Sequence, residues 1–183
     1  MDAIELLTRD HRAVEELFSQ FDGGDDETRR TAAEGVIREL SIHAAIEEEF
    51  FYPMVKKEVP EAADMVDHGI EEHQEAKQVL AKLDEMIDKA HTKAYAEKMQ
   101  RLEKLIGDHV EEEENELFPK VREALTKTRL NEVGTLMNKA KKAAPTRPHP
   151  NTPANPLVQA TAGKAAAVVD RMRDAVSGRT ERR

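Results

Sequence analysis

The sequence of 183 residues contains no cysteine and no tryptophan. Without cysteine, the chain forms no disulfide, no thiolate metal site and no cysteine nucleophile, so any metal ion must be held by nitrogen and oxygen atoms. No apolar run approaches the roughly 20 residues that a membrane-spanning helix needs. The first residues lack the basic and apolar segments of a signal peptide. These absences predict a cytoplasmic protein with no membrane partner.

Charge is distributed unevenly along the chain. The formal net charge is −9, but residues 139–183 hold ten Lys/Arg against three Asp/Glu. The body of the chain is therefore strongly acidic, which argues against nucleic acid as a partner of the main domain. The tail is basic, and its protein partner stays open. Aromatic residues make up only 4% of the chain, and abundant Glu and Lys favour helices over strands.

Apolar residues recur in four segments at alternating spacings of three and four, which is typical of helices packed in a bundle. The first segment follows Asp2, a favourable N-cap residue. Short connections between the segments favour antiparallel neighbours. We predict an all-α protein, with an antiparallel up-down-up-down four-helix bundle over residues 1–126 and a C-terminal extension. The four stripes comprise Ile4, Leu7, His11, Val14, Phe18 and Phe21; Val36, Leu40, His43, Glu47, Phe50 and Met54; Val66, Gly69, His73, Ala76, Leu80, Leu83 and Ile87; and Met99, Leu102, Ile106, His109, Glu113 and Glu116.

The extension, residues 127–183, differs in character from the bundle. Residues 129–142 have the spacing of a short helix. Residues 145–156 hold five prolines, which predicts an extended linker. Residues 157–177 have the pattern of a weakly amphipathic helix within the basic tail.

Seven His and Glu residues lie on the apolar stripes, and four of them, His43, Glu47, His109 and Glu113, repeat between the two halves of the bundle. The segment HAAIEEEFFYPMV at 43–55 aligns without gaps with HVEEEENELFPKV at 109–121. Because residues four apart share a helix face, each segment presents one imidazole and one carboxylate inward. The other two helices supply one imidazole each. We predict a metal site formed by His11, His43, Glu47, His73, His109 and Glu113.

The cost of burial favours a metal over a purely structural role. A single histidine on an apolar stripe is more often a satisfied core residue than a ligand. Unpaired buried carboxylates, by contrast, cost several kcal/mol each, and bound cations would offset that cost. Nitrogen and oxygen donors suit iron, manganese or zinc. Six donors exceed the needs of a single tetrahedral zinc, so two metal ions are favoured over one.

The order H…HxxxE…H…HxxxE resembles the hemerythrin-like (HHE cation-binding domain) family, over about residues 1–125. The tail resembles extensions of actinobacterial members of that family. The resemblance implies a non-haem di-iron protein built on a four-helix bundle. It implies two iron ions with a bridging oxo, hydroxo or water, held by the six residues named above. It also implies that dioxygen or a related small molecule binds there.

One position departs from the oxygen-carrying hemerythrins, which place HxxxH on the third helix. Lys77 stands four residues after His73, so the fifth imidazole is missing. Four imidazoles, two bridging carboxylates and one bridging oxygen fill about ten of twelve octahedral positions. One open position on each iron favours peroxide chemistry over reversible carriage of dioxygen. We therefore expect a protein that binds or reacts with hydrogen peroxide, dioxygen or nitric oxide in redox stress. Whether it is an enzyme stays open, and catalase-like peroxide decomposition is the candidate activity.

Two other functions stay open. An iron or oxygen sensing module would signal through the C-terminal tail. A storage protein would hold oxygen or iron, although a single site with six ligands offers no mineral cavity.

Three further side chains are undecided at this point. Tyr52, five residues after Glu47, points away from the site on a regular helix unless Pro53 distorts the turn. Glu116 follows the fourth stripe beyond the last predicted ligand, and we expect it to be a partly exposed residue near the helix end. His68 lies about 140° around the third helix from the inward imidazole and does not replace the missing one. The other glutamates of both repeats are expected to face solvent.

Overall fold

The computed structural model describes residues 1–151 and 164–177, and in these ranges all regular secondary structure is helical, while residues 144–151 form an irregular segment. The predicted all-α four-helix bundle is confirmed. Its first and third long helices are α1 (Ala3–Gly23) and α4 (Ala63–Glu85), the latter preceded by a 3-10 turn at Pro60–Ala62. The second is α2 (Asp26–Ile46), which passes through a π-turn (Glu47–Phe51) into α3 (Tyr52–Glu58). The fourth is α5 (Lys93–Glu112), which passes through a π-turn (Glu113–Leu117) into α6 (Phe118–Ala124).

Helix starts follow local capping chemistry. Asp2 is the N-cap of α1, as predicted: its side chain accepts from the backbone N–H of Glu5, whose own carboxylate accepts from the backbone N–H of Asp2, which completes a capping box. At the starts of α2, α5 and the helix after α6, the side chains of Asp25, Thr92 and Thr126 each accept from the backbone N–H three residues further on. These caps set where each helix begins and so which residues face inward.

Contacts between helices show that neighbours run antiparallel. Arg101 on α5 pairs with Glu75 on α4, whereas His109, further along α5, pairs with Glu72, which is earlier on α4. The connections between these helices are short, as an up-down-up-down bundle requires.

The apolar core is split into two clusters by one polar layer. On all four long helices the break between the clusters falls at the same level, where the stripe histidines lie. The first cluster includes Leu6, Leu7, Ile46, Phe51, Val66, Phe118 and Val121; the second includes Val14, Phe18, Leu40, Leu80, Leu83, Met99 and Leu102. The histidines and glutamates of the stripes are therefore enclosed by packed side chains above and below.

The extension packs on the bundle through a further helix, α7 (Lys127–Ala140), which confirms the predicted short helix. A Cβ atom at Gly134 would lie 2.6 Å from backbone atoms of Asp2 and Ala3, so only glycine lets α7 approach the start of α1 this closely. A 3-10 turn (Lys141–Ala143) follows. The helix predicted over 157–177 is α8 (Lys164–Ser177); its first predicted residues, and residues 152–156 of the predicted linker, lie outside the described residues. The division at residue 126 stays a prediction.

Among the helices in the described ranges, none is both long and apolar enough to cross a bilayer. The cytoplasmic location stays a prediction.

Candidate metal centre

The polar layer brings together all six residues predicted to bind metal. One helix contributes each lone imidazole, and each of the other two contributes an imidazole and a carboxylate one turn apart. None of the six is more than 5% exposed: His11, His43, Glu47, His73, His109 and Glu113.

Each carboxylate lies between two imidazoles from different helices. Glu47 Oε2 is 2.9 Å from His43 Nε2 and 3.4 Å from His73 Nε2. On the other side, Glu113 Oε2 is 3.4 Å from His11 Nε2 and 3.6 Å from His109 Nε2. The Nε2 atoms of all four imidazoles thus face the two carboxylates.

These donor atoms fit bound cations better than they fit one another. His11 Nε2, both carboxylate oxygens of Glu47 and Glu113 Oε2 are buried and make no hydrogen bond within the described part of the chain. Ligand atoms of His43, Glu47, His109 and Glu113 all lie within 4.8 Å of one another. Leaving such groups unsatisfied costs about 1–3 kcal/mol each, and more when they are charged. Imidazole nitrogen and carboxylate oxygen together suit iron, manganese or zinc, and not thiolate-preferring metals.

Each imidazole also has a carboxylate from a neighbouring helix beside its Nδ1 atom. An acceptor at Nδ1 keeps the proton on that nitrogen and leaves the Nε2 lone pair for a metal. Three of the four contacts are hydrogen bonds, and the fourth is longer. The Nδ1 distances are 2.7 Å for His11 to Glu114, 3.0 Å for His73 to Glu48, 2.8 Å for His109 to Glu72 and 3.9 Å for His43 to Asp10.

Glu48 shows that the prediction of solvent-facing glutamates was wrong at this position. It is only 2% exposed, and it accepts from Lys77 Nζ at 2.6 and 2.7 Å as well as contacting His73 Nδ1. Lys77 occupies the position of the missing fifth imidazole, and it is held in an ion pair beside the site.

Two π-turns begin at the two buried glutamates, Glu47 and Glu113, and change which later residues face the site. The Tyr52 N–H donates to the Glu47 carbonyl and the Phe118 N–H to the Glu113 carbonyl, five residues back. A proline follows directly in each case. Proline has no N–H, and its ring would collide with the carbonyl four residues before it, so a wider turn relieves the clash. The same distortion therefore arises twice from the repeated sequence.

The π-turn brings Tyr52 into the site. The expectation that Tyr52 points away from the site was therefore wrong, because the turn before Pro53 is distorted and the helix is not regular here. Its hydroxyl donates to Glu113 Oε1 at 3.0 Å and lies 3.5 Å from His73 Nε2. Its ring stacks on His73 with centroids 5.4 Å apart. The wider turn also buries Phe51 completely and leaves Phe50, predicted to be on the stripe, only half-buried.

The second half of the site carries no such hydroxyl. Phe118, which aligns with Tyr52, stacks on His11 with centroids 5.9 Å apart and planes 7° from parallel. The two repeats thus place an aromatic ring at the same position of the site, but only Tyr52 adds a hydroxyl group there.

Two further candidates lie outside the polar layer. Glu116 is exposed, as expected. The His68 side chain is 54% exposed and lies 3.7 Å from carboxylate oxygens of Glu72 and Glu112. Neither residue reaches the six inward donors.

Burial and charge perturb the acid–base behaviour of these groups in the metal-free protein. Burial alone would lower the pKa of His43, but the facing Glu47 carboxylate outweighs it and raises that pKa to about 10. Burial would likewise lower the pKa of His73, but the carboxylates of Glu47 and Glu48 outweigh it and raise that pKa to about 9. Burial and the nearby Glu113 carboxylate raise the pKa of Tyr52 well above its usual value, so its hydroxyl stays protonated. The layer thus holds positive charge as protons when it holds no cation.

A small cavity of about 20 Å³ adjoins the imidazoles. This volume admits a molecule of one or two heavy atoms, since a single water needs about 10–15 Å³ on this measure. Its walls are the imidazoles of His11, His43, His73 and His109, the side chains of Asp10 and Lys77, and the apolar residues Val14, Leu40, Ala44, Ala76, Leu80, Ile106 and Val110.

The fold and this donor set define a helical bundle built to bind metal cations. Residues 2–121 match the Hemerythrin HHE cation binding domain family. The chain therefore belongs to this family, and the resemblance seen in its sequence is confirmed.

Three individual proteins are similar to this chain, and two of them carry the hemerythrin name. An uncharacterized hemerythrin-like protein of Schizosaccharomyces pombe is 27% identical over 93% of this chain and 84% of its own length. A DNA nickase of a Nostoc species is 26% identical over 77% of this chain, which spans only 39% of that protein. The crystal structure of a hemerythrin HHE cation-binding domain-containing protein from Mycobacterium kansasii superposes with a TM-score of 0.67 at 20% identity, covering 93% of this chain and 99% of that one. This last likeness concerns the fold.

Proposed function

We propose that this chain is a non-haem di-iron protein that reacts with small oxygen species, and that decomposition of hydrogen peroxide is its main activity. The ligands in this proposal are the six buried residues of the polar layer. Glu47 and Glu113, each placed between imidazoles from two helices, would hold the two ions together with the four histidines, with an oxo, hydroxo or water as the further ligand. Dioxygen and nitric oxide are further ligands of the same site.

The residues of the chain contribute confinement and proton control. When bound, a pair of iron ions supplies two-electron redox chemistry between peroxide, dioxygen and water. The apolar walls formed by residues such as Leu40, Leu80 and Ile106 limit the reactant to one or two heavy atoms. Tyr52 Oη holds a proton beside Glu113, to which it donates at 3.0 Å, and so could deliver it at the edge of the site.

The preference for peroxide chemistry over reversible oxygen carriage rests on the position and contacts of Lys77. Both of its close contacts are to Glu48 oxygens, and its ammonium group cannot coordinate a metal. The third helix of the bundle therefore directs a single imidazole, that of His73, into the site, and each metal ion would be left with an exchangeable position.

Oxygen release from hydrogen peroxide tests the proposal. Protein loaded anaerobically with ferrous iron should retain about two irons per chain and release dioxygen faster than the same amount of free iron. His109→Ala should lose iron and activity together, whereas His91→Ala, a change in an exposed turn, should keep both. Turnover no faster than free iron, together with a stable coloured dioxygen adduct, would identify a carrier instead.

The alternative functions receive unequal support. A cavity of about 20 Å³ leaves no room for stored mineral beside the site. A sensing role is favoured by one contact, the pairing of Lys141 in the extension with Asp10 beside the metal layer. A role in redox stress stays a prediction.

A further inference from the structure

The segment that follows α7 lies across the bundle near the metal layer. It begins at Lys141 and is held at a second point by Arg147, whose guanidinium lies 2.7 Å from Asp84 on α4. At a third point, the Gln74 side chain donates to the Pro150 carbonyl at 2.5 Å. All of this segment lies beyond residues 2–121, the part of the chain that the family shares.

Lys141 connects this segment to a metal ligand through one carboxylate. Its ammonium group donates to both oxygens of Asp10, each at 2.7 Å. The Asp10 side chain is 7% exposed and that of Lys141 is 18% exposed, so the pair is shielded from solvent. Asp10 Oδ2 lies 3.9 Å from His43 Nδ1. His43 is therefore separated from the C-terminal extension by a single side chain.

This contact differs from the other three imidazole–carboxylate contacts. Those are 2.7–3.0 Å long, whereas His43 Nδ1 is buried and makes no hydrogen bond within the described residues. The second cation near Asp10, Arg9, is 54% exposed and 3.7 Å away. The position of the Asp10 carboxylate is thus set mainly by Lys141. Lys141 therefore also sets how far this carboxylate lies from His43 Nδ1.

We propose that Lys141 is a positioning residue of the metal centre, which acts through Asp10 on the orientation of His43 and so couples docking of the C-terminal extension to retention of metal. Without Lys141, the Asp10 carboxylate loses its two short hydrogen bonds and is no longer held at its position 3.9 Å from His43 Nδ1. Loss of such an outer partner weakens metal binding about 10-fold to 100-fold. By reciprocity, bound metal favours the docked extension. The inference rests on the proposed function only in that the site binds divalent cations.

Metal release from the cobalt-loaded full chain tests this coupling. With a chelator in excess, Lys141→Met should release cobalt about tenfold faster, while Lys139→Met, an exposed lysine close by on α7, should match the wild type. Asp10→Asn should also release faster, and the double variant should release no faster than Asp10→Asn alone, because both changes break one chain of contacts. Equal effects of both lysine changes, or additive effects in the double variant, would overturn the proposal.

A spectroscopic measurement separates positioning from general loosening. Cobalt(II) shifts the exchangeable Nδ1–H proton signals of its histidine ligands far from the rest of the proton spectrum. Lys141→Met should move one of these signals, that of His43, and Lys141→Arg should restore it. Unmoved signals, or an equal shift of all of them, would count against the proposal. Failure to turn over peroxide would overturn the proposed function and leave this inference intact, whereas a wild-type chain that takes up no cobalt would overturn both.

Discussion

Replacing Tyr52 by phenylalanine removes one oxygen atom from the edge of the polar layer and leaves the ring in place. The ring contacts with His73 and Phe51, at centroid distances of 5.4 and 6.2 Å, are unaffected by the change. What is lost is the 3.0 Å hydrogen bond from the hydroxyl to Glu113 Oε1. The substitution therefore isolates a single donor at a buried carboxylate.

The size of the effect follows from the state of Glu113. Without metal, Tyr52 is the hydrogen-bond donor to this carboxylate, and a hydrogen bond to a charged group contributes about 2 kcal/mol. With metal bound, a cation becomes the principal partner of Glu113, and the loss should shrink below about 1 kcal/mol, the value for an ordinary hydrogen bond. The difference between the losses of unfolding free energy in the metal-free and metal-bound forms shows whether Glu113 binds the metal.

Urea unfolding followed by circular dichroism measures both values, with free metal held constant for the loaded form. Tyr95→Phe is the matched control, since Tyr95 is equally buried but packs on Phe21 in the second apolar cluster. Its effect should be the same with and without metal. An equal loss in both forms for Tyr52→Phe would refute the assignment of Glu113 as a ligand. A loss below about 0.5 kcal/mol in the metal-free form would refute the hydrogen bond itself.

Three further outcomes are expected. Metal-free protein should be most stable between about pH 4.5 and 6.5. The raised pKa values of His43 and His73 give stability that is complete below their ordinary 6.5 and lost as pH rises through about 9 and 10. The lowered pKa of Glu48 gives stability that is complete above 4.5 and lost as pH falls through about 2; pH-dependent urea midpoints check both limits. Metal-loaded protein should instead lose metal on acidification, because protons compete for the imidazoles, and a metal-release titration checks this. Gly69→Ala would place a Cβ 2.9 Å from the Tyr52 hydroxyl and should destabilise the metal-free chain by about 1–3 kcal/mol, whereas Gly107→Ala, with open space around it, should stabilise it by about 0.5–1 kcal/mol; thermal melts compare the two.

Spacing along the sequence was sufficient to predict the bundle and the six inward donors. A stripe of period 3.6 places residues by local geometry alone, so His43 and Glu47 were assigned one face without knowledge of their neighbours. The same assumption of a regular helix failed for Tyr52, because the π-turn adds one residue to the turn. A signal for it was present, namely a proline six residues after the inward glutamate in both repeats.

The carboxylates beside the Nδ1 atoms of the four imidazoles could not be predicted from spacing along the sequence. His11 and Glu114 are 103 residues apart, and His73 and Glu48 are 25 apart, so their pairing depends on how helices are rotated against each other. An acidic run such as 47–49 reads as solvent-facing until a neighbouring helix supplies an imidazole and a lysine. The contact of Lys141 with Asp10 is of the same kind and joins residues 131 apart.

The polar layer lies between two apolar clusters that scarcely overlap in sequence on any long helix. Such a division weakens cooperativity, because each half of the interior can open with little loss of contact to the other. Cations that bind donors from all four helices join the halves into one unfolding unit. The lifetime of this chain among cellular proteases should then follow the supply of metal, so that starved cells clear it and replete cells keep it.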